Sequence, residues 1–452
     1  MSLSMKPNVL VFFTDQQRAD TTGVHGCPLD LTPNFDRFAQ EGTHCYHAYT
    51  CQPVCGPARS CLQTGMYATA TGTWRTGIGL DQSLPNLGTS FSQAGYQTGY
   101  IGKWHLGSHE HIGPVPKEQR GGYEFWLASN LLEFTSDAYD CTVFDGDGNP
   151  VKLPGYRVDG ITDAAIRFID SATQSDQPFF LFLSYIEPHH QNHRDDYPAP
   201  TGYAERYTGR WTPPDLQTLG GTSAQHLPGY FGMIKRLDEA FGRLLDTLKS
   251  LGILENTVVL YTSDHGNHFK TRNAEYKRSC HDASLRVPTA LSGPGFSGQG
   301  RLQNLVSLVD LPPTLLDAAG LSIPETMQGR SLLRRSEGWP GEVFSQISES
   351  QVGRCIRTHR WKYSVVAAGV GGNSQPGSDT YTEDCLYDLE ADPYELQNLV
   401  NHPSHTAVRE QLRTRLLARM AEAGEPPAAI LPHPEVFTGF TQRRVESAEV
   451  LQ

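Results

Sequence analysis

The stretch NVLVFFTD, residues 8–15, is a short run of apolar side chains that ends in an acidic one. Such a run predicts a strand buried on both faces, as in a parallel sheet covered by helices. Two later stretches have the same character, FFLFLS at residues 179–184 and TVVLYTS at residues 257–263. Segments with helical spacing of apolar residues lie between them, among them residues 158–172 and 230–251. We therefore expect an α/β fold with a large, mostly parallel sheet sandwiched by helices.

The pattern changes after about residue 338. Short segments such as EVFSQIS, CIRTHRWKYSVV and DCLYDL predict antiparallel strands with polar outer faces, and a helical pattern follows at residues 405–423. The chain is thus predicted to have a large domain, residues 1–337, and a smaller α+β C-terminal subdomain with an antiparallel sheet, residues 338–452.

Charge and hydropathy disfavour two classes of partner. Lys and Arg number 37 against 49 Asp and Glu, a net charge of −12, and no basic run stands out, so nucleic acid is not expected as a partner. No stretch approaches the roughly 20 consecutive apolar residues of a membrane helix, so no membrane partner is expected either. The start, MSLSMKPNVLVFF, lacks the pattern of a secretory signal, which favours a cytoplasmic location. A periplasmic or secreted location would require a signal peptide that has been removed.

Acidic residues follow two of the predicted strands. Asp15 comes directly after the first, and Asp264 with His265 after the third. Sites in open α/β sheets lie beyond the carboxyl ends of the strands, and two carboxylates that meet there are best kept ionised by a divalent cation. Taken singly, each Asp is more typical of a turn or cap residue than of a metal ligand. Oxygen ligands favour Ca²⁺ or Mg²⁺, while His265 leaves Mn²⁺ open.

The nine cysteines are scattered with no CxxC pair, which favours reduced, buried thiols over a disulfide framework. Cys51, Cys55 and Cys61 nevertheless lie close together. Cys55 is predicted just before a helix N-terminus, where N–H groups favour an anion, and Arg59 follows one turn later. Such surroundings lower the pKa of a thiol. Composition alone is also consistent with an ordinary buried thiol.

The run CGPAR at residues 55–59, with LQTG at residues 62–65, is similar to the sulfatase signature Cys-x-Pro-x-Arg followed by Leu-x-Thr-Gly. In that family the Cys is oxidised to formylglycine by a maturation enzyme. Cys51 also has Pro two positions later, but Cys55 stands where Arg is required, so Cys55 is the match. Cys61 lies in the same helix and is more consistent with packing.

The resemblance extends along nearly the whole chain. Further blocks that resemble the family follow in order: TDQQ at residues 14–17, GKWHLG at 102–107, EPH at 187–189, SDHG at 263–266, Lys277, RVP at 286–288 and LYDL at 386–389. The chain is identified as a member of the type I, formylglycine-dependent sulfatases of the alkaline phosphatase superfamily. This implies that superfamily's fold, with the sulfatase catalytic domain in residues 1–337. Many members carry two Asp at the first metal motif, whereas this chain has Asp15 and the neutral Gln16.

The resemblance implies hydrolysis of sulfate monoesters through a formylglycine geminal diol and a covalent sulfate intermediate. It implies that Arg59 and Lys103 hold the diol and sulfate oxygens, that His189 or Lys277 protonates the leaving alcohol, and that His105 is the base for the second step. The implied catalytic residues are Cys55, Arg59, Lys103, His105, His189 and Lys277. The implied metal ligands are Asp15, Gln16, Cys55, Asp264 and His265. Ca²⁺ is the first candidate for the metal, and Mg²⁺ or Mn²⁺ are the alternatives.

The run PHHQNHR, residues 188–194, has the rings and donors suited to hydroxyl and sulfate groups, although it could equally be a plain polar loop. We therefore predict a sulfated carbohydrate, either a small molecule or an oligosaccharide, as substrate. The candidate substrate contacts are His190, Asn192, His193, Arg194 and His281, and Trp74, Arg75 and Trp104 are candidates for a sugar-stacking face.

Two other functions are compatible with parts of the pattern. A phosphonate monoester or phosphodiester hydrolase of the same superfamily shares the Cys and metal motifs, but the GKWH block resembles sulfatases more closely. A non-catalytic member that binds sulfated glycans is disfavoured because the catalytic set is intact.

Overall fold

The computed structural model describes residues 6–108 and 111–434. Two segments lie outside the described residues. They are the first five residues, on which the predicted location partly rests, and residues 435–452 of the predicted subdomain. Within the described part the strands are β1 (Asn8–Thr14), β2 (Thr43–Tyr49), β3 (Gln97–Lys103), β4 (Phe125–Ser129), β5 (Cys141–Phe144), β6 (Pro150–Leu153), β7 (Phe179–Ser184), β8 (Thr257–Ser263), β9 (Ala290–Ser292), β10 (Gly300–Ser307), β11 (Glu342–Ile347), β12 (Gly353–Thr358), β13 (Trp361–Val366), β14 (Thr380–Asp388) and β15 (Ala429–Leu431).

The α-helices of the same residues are α1 (Pro33–Glu41), α2 (Cys55–Thr64), α3 (Ala68–Thr71), α4 (Leu87–Gln93), α5 (Leu132–Thr135), α6 (Arg157–Ala172), α7 (Tyr203–Tyr207), α8 (Pro214–Thr218), α9 (Ser223–Ser250), α10 (Asp282–Leu285), α11 (Leu311–Ala318) and α12 (Thr406–Glu422). None of these helices is long and apolar enough to cross a membrane.

A ten-stranded sheet forms the larger part of the fold, in the order β10-β2-β9-β8-β1-β7-β3-β4-β5-β6. The central strand β1 is parallel to both of its neighbours, β7 and β8, and β3 and β4 continue in the same direction. The short strand β9 runs antiparallel to its neighbours, and β5 and β6 form an antiparallel edge. The sheet is therefore mixed, with a parallel centre.

The side chains of β1 show why the sheet needs helices on both faces. Val9, Val11 and Phe13 enter one apolar cluster, where α2, α4 and α11 supply the facing residues. Leu10 and Phe12 enter the opposite cluster with residues of α1, α6 and α9. Because successive side chains of a strand point to opposite faces, a continuous apolar run requires two covered faces.

The second sheet has five strands in the order β11-β12-β13-β14-β15. Its pairs are antiparallel except β14–β15, and α12 packs on it through Leu412, Leu416 and Met420. The predicted α/β fold with a smaller antiparallel-rich C-terminal sheet is confirmed. The boundary after residue 337 stays a prediction.

Candidate active site

The sheet brings the two predicted acidic strand ends together. In the parallel pair β1–β8, Thr14 lies opposite Ser263, so the next residues, Asp15 and Asp264, leave the sheet at the same level. Helix α2 begins at Cys55, and its first residue faces this point, with 3.5 Å between Cys55 Sγ and Asp15 Oδ1. The carboxyl edge of the sheet and the N-terminus of α2 therefore meet in one place, as expected for a site in an open α/β sheet.

Cys55 is enclosed by charged and polar groups and is only 3% exposed. Its Sγ lies 2.7 Å from Lys277 Nζ and 3.2 Å from His265 Nε2. Burial and the charge of Asp15 would raise the pKa of the thiol, but Lys103, Lys277 and His265 outweigh them and lower it to about 6. The position therefore stabilises negative charge on whatever atom residue 55 presents.

A divalent cation fits the donor set beside Cys55. Ligand atoms of Asp15, Cys55, Asp264 and His265 all lie within 4.8 Å of one another. Asp264 Oδ2 and the amide oxygen of Gln16 are buried acceptors that receive no hydrogen bond from the residues described. His265 Nδ1 lies 2.9 Å from Gly266 O, which leaves Nε2 to face the acidic groups. Burial and the neighbouring charge of Asp15 raise the pKa of Asp264 to about 7. A bound cation relieves the repulsion between the two carboxylates.

Two buried cations hold Asp15 from the other side. Arg59 donates to Asp15 Oδ2 at 2.9 Å and also to Ser184 Oγ, at the end of β7, at 2.7 Å. Lys103 Nζ lies 2.9 Å from the same Asp15 oxygen. Burial would raise the pKa of Asp15, but the charges of Lys103 and Arg59 hold it well below its usual range. Asp15 is therefore ionised and fixed in position.

The predicted proton-transfer residues lie on the open side of Cys55. His189 Nε2 is 3.1 Å from Lys277 Nζ, while its Nδ1 is 2.6 Å from the carbonyl of His190. Burial and Lys277 hold the pKa of His189 well below its usual range, so the ring is neutral. Neither ring nitrogen of His105 forms a hydrogen bond with the described residues. Burial and the charge of Lys103 lower the pKa of His105 to about 3.

Comparison with known proteins decides the family. A family model described as Sulfatase matches residues 7–321, and one described as N-sulphoglucosamine sulphohydrolase, C-terminal, matches residues 274–422. The chain belongs to the sulfatase family. It is a sulfuric ester hydrolase of the alkaline phosphatase superfamily, as the motifs predict.

Relatives match this sulfatase over most of its length. An uncharacterized sulfatase, YidJ of Escherichia coli, is 30% identical, with 93% of this chain and 88% of the relative covered. The ulvan-active sulfatase of Formosa agariphila is 29% identical, with 93% and 82% covered.

Solved structures show the same fold. The yidJ structure from Bacteroides fragilis superimposes with a TM-score of 0.83 at 25% identity, covering 94% of this sulfatase and 98% of that chain. The structure of BT4656 with its substrate D-glucosamine-2-N,6-O-disulfate has a TM-score of 0.75 at 23% identity, with 93% and 98% covered.

A cavity of about 290 Å³ opens onto Cys55 in this sulfatase. The predicted residues that line it are Cys55, His105, His189, His190, Asn192 and Lys277. Glu133 also lines it, with its Oε1 3.2 Å from Lys103 Nζ and 3.9 Å from His105 Nδ1. Glu133 was not predicted from the sequence because no motif surrounds it, and its place at the site depends on the fold around α5.

Several of the predicted substrate contacts lie outside this cavity. His193 and Arg194 do not line the cavity, because they lie at the outer surface beside Asp137, at 3.5 Å and 3.3 Å. His281 points away from the cavity, with its Nε2 3.0 Å from the hydroxyl of Tyr387 in the C-terminal sheet. Trp104 is fully buried against Tyr100 and Trp126, so it offers no stacking face.

The low pKa of Cys55 gives a first testable prediction. In the metal-free sulfatase that has not been matured, alkylation of Cys55 by iodoacetamide should fall as the pH falls, with a midpoint near 6. Because Lys277 Nζ lies 2.7 Å from Sγ, Lys277→Met should move the midpoint upward. Peptide mass spectrometry across a pH series measures this, with Cys55→Ser as the control. A midpoint near the free-thiol value of about 8.5 would contradict the prediction.

Proposed function

We propose that this sulfatase hydrolyses sulfate monoesters of sulfated carbohydrates at a formylglycine formed by oxidation of Cys55. The observation that supports it most directly is the position of Cys55, buried between Lys277, His265 and Asp15 at the base of a polar cavity. The carbohydrate substrate is supported by the disulfated glucosamine bound to BT4656, which shares the fold. His190 and Asn192 place polar groups in the wall of the cavity.

Two groups, the formylglycine at residue 55 and a divalent cation, would supply the reactive chemistry. Formylglycine, as its geminal diol, would supply one hydroxyl that takes up the sulfate and a second whose deprotonation expels that sulfate and restores the aldehyde. A divalent cation, which we propose to be Ca²⁺ with Mg²⁺ and Mn²⁺ as the alternatives, supplies positive charge beside that diol. Asp15, Gln16, Asp264, His265 and residue 55 would hold it.

The remaining residues position charge and protons. Lys103 and Arg59 keep Asp15 ionised and add positive charge next to the sulfate position, which stabilises charge as it shifts during transfer. Lys277 carries protons on Nζ and is fixed by His189 at 3.1 Å, so we assign Lys277 the proton that the leaving alcohol takes up. His105 is neutral and lines the cavity, so we assign it the proton of the second hydroxyl.

Mass spectrometry of the peptide that carries Cys55 tests the proposal directly. After expression beside a formylglycine-generating enzyme, we expect the thiol of residue 55 to be replaced by an aldehyde and aryl sulfate to be turned over. A thiol retained in an active preparation would overturn the formylglycine assignment. A panel of defined sulfated mono- and disaccharides then tests the substrate class, and turnover of aryl sulfate alone would count against a carbohydrate.

The rival phosphonate monoester or phosphodiester hydrolase is tested in the same preparation. Both activities require residue 55, so the comparison is the ratio of kcat/KM for an aryl sulfate and an aryl phosphodiester. We expect the sulfate to be preferred because His105 lines the cavity and Lys103 lies behind it against Asp15 and Glu133, and both belong to the block that resembles sulfatases. A preference for the phosphodiester would replace our assignment with the rival one.

Metal removal gives a second prediction. Dialysis of the matured sulfatase against a strong chelator should lower kcat/KM by at least about 100-fold, because Asp15 and Asp264 would repel without a cation. Ca²⁺ should restore activity better than Mg²⁺ or Mn²⁺ at equal concentration. Asp264→Asn serves as the comparison, since losing this ligand should raise the Ca²⁺ concentration needed for half recovery. Full activity in the chelated, metal-free protein would contradict the assigned site.

A further inference from the structure

We propose that Cys280, His281 and Cys385 form a second metal site, one for zinc, outside the active site. Their sulfur and ring nitrogen atoms lie within 4.8 Å of one another. Cys280 Sγ is 3.9 Å from His281 Nδ1. Ligands at the usual zinc distances, about 2.3 Å for sulfur and about 2.0 Å for nitrogen, lie about 3.6 Å apart at a tetrahedral angle. The three side chains therefore accept one tetrahedral ion after small movements.

The ring of His281 is held in the orientation that a metal ligand needs. Its Nε2 lies 3.0 Å from the hydroxyl oxygen of Tyr387. With Nε2–H donating to that oxygen, Nδ1 has a free lone pair on the side of Cys280. Histidine ligands of metals are commonly fixed in this way, by a hydrogen bond from the nitrogen that does not bind the ion.

The donor set distinguishes this cluster from the active-site metal position. Two thiols and an imidazole prefer zinc to Ca²⁺ or Mg²⁺, which take oxygen ligands. Cys355 belongs to the same buried cluster and is a candidate for a fourth ligand. Contact with Cys280 and burial both raise the pKa of Cys385, and a bound dication offsets that cost. On binding, Cys280 and Cys385 would each release one proton and form a zinc–sulfur bond.

The position of the cluster gives the ion a structural role. Cys280 follows Lys277 by three residues, and Cys385 belongs to β14 of the C-terminal sheet. Lys362, on β13, already joins the same two parts through its ion pair with Asp282. A zinc ion here would add a second connection between the C-terminal sheet and the segment that carries Lys277. Its loss should loosen the segment that positions Lys277.

The test uses the full chain with Cys55→Ser, so that the active-site thiol cannot bind the metal. After dialysis with excess Ca²⁺ and a weak chelator, elemental analysis should find about one zinc per chain. Adding Cys280→Ser and Cys385→Ser should lower the zinc content by about tenfold or more. Cys45→Ser, which removes a buried thiol in another cluster, should leave it unchanged. Cobalt in place of zinc should give a thiolate-to-metal absorption band that disappears in the same double variant.

Equal zinc in the parent and the double variant, or no zinc in the parent, would overturn the proposal. If the double variant does not fold, native mass spectrometry of the Cys55→Ser chain decides instead. A mass increased by one zinc ion and decreased by two protons supports the site. A loss of two hydrogens that peptide mapping places in a Cys280–Cys385 disulfide would overturn it. An unmodified mass, which indicates plain buried thiols, would overturn it as well.

Discussion

Replacing Cys55 by Ser should lower kcat for an aryl sulfate by about 10⁴-fold or more, a loss of the size seen when a catalytic nucleophile is removed. A serine hydroxyl fits the space beside Lys277 and His265 and can still accept a sulfate. It has no second hydroxyl, however, so the protein cannot expel that sulfate by withdrawing a proton. The defect should therefore lie in the second half of the reaction.

A single-turnover measurement distinguishes this result from a general loss of structure. Cys55→Ser should release at most one equivalent of phenol per chain and then stop, with the sulfate retained on the peptide that carries residue 55. Cys61→Ala, in the same helix but packed in the core, should keep most of the activity. Continued turnover by Cys55→Ser would show that formylglycine is not required.

Replacing Lys103 by Met is expected to affect both stability and activity. Lys103 is fully buried, with its Nζ between Asp15 Oδ2 at 2.9 Å and Glu133 Oε1 at 3.2 Å. Removing one partner of a buried ion pair leaves an uncompensated charge and costs about 3–5 kcal/mol of unfolding free energy. The loss of positive charge beside the sulfate should also lower kcat/KM by about 10²–10³-fold.

Urea denaturation and kinetics of the matured protein measure the two effects separately. Adding Glu133→Gln to Lys103→Met removes the carboxylate that has lost its cation, whereas Asp15 keeps Arg59, so it should restore part of the stability without restoring the activity. An unfolding free energy within about 0.5 kcal/mol of the parent would contradict the structural reasoning, because that is the range of ordinary surface substitutions. Recovery of activity in the double variant would contradict the catalytic assignment of Lys103.

The sequence was sufficient to predict those elements whose local pattern of residues agrees with their place in the fold. The apolar runs ending at Asp15 and Asp264 predicted both the parallel centre of the sheet and the meeting of the two carboxylates, because parallel strands end at the same edge. The short antiparallel strand β9, only three residues long, gives no such pattern and was not predicted. Its position between β2 and β8 depends on tertiary contacts.

Errors in the predicted site arose where proximity in sequence was taken for proximity in space. His281 lies four residues after Lys277, but the chain turns at Arg278, where φ is 67°, and α10 begins at Asp282, so His281 faces the C-terminal sheet. Trp104 stands between the site residues Lys103 and His105, yet its ring packs into the core. Glu133 could not be predicted, since its partner Lys103 lies thirty residues earlier in the chain.

The burial of α2 has a consequence for the order of events in biosynthesis. Every residue from Cys55 to Thr64 is buried, and a cavity of about 290 Å³ opens onto Cys55. Another enzyme could not bind this segment once the sheet and helices have closed around it. The oxidation that we propose at Cys55 must therefore precede folding, while the segment is still extended. A chain that folds with its thiol intact would stay inactive, and the yield of active protein would be set by competition between oxidation and folding.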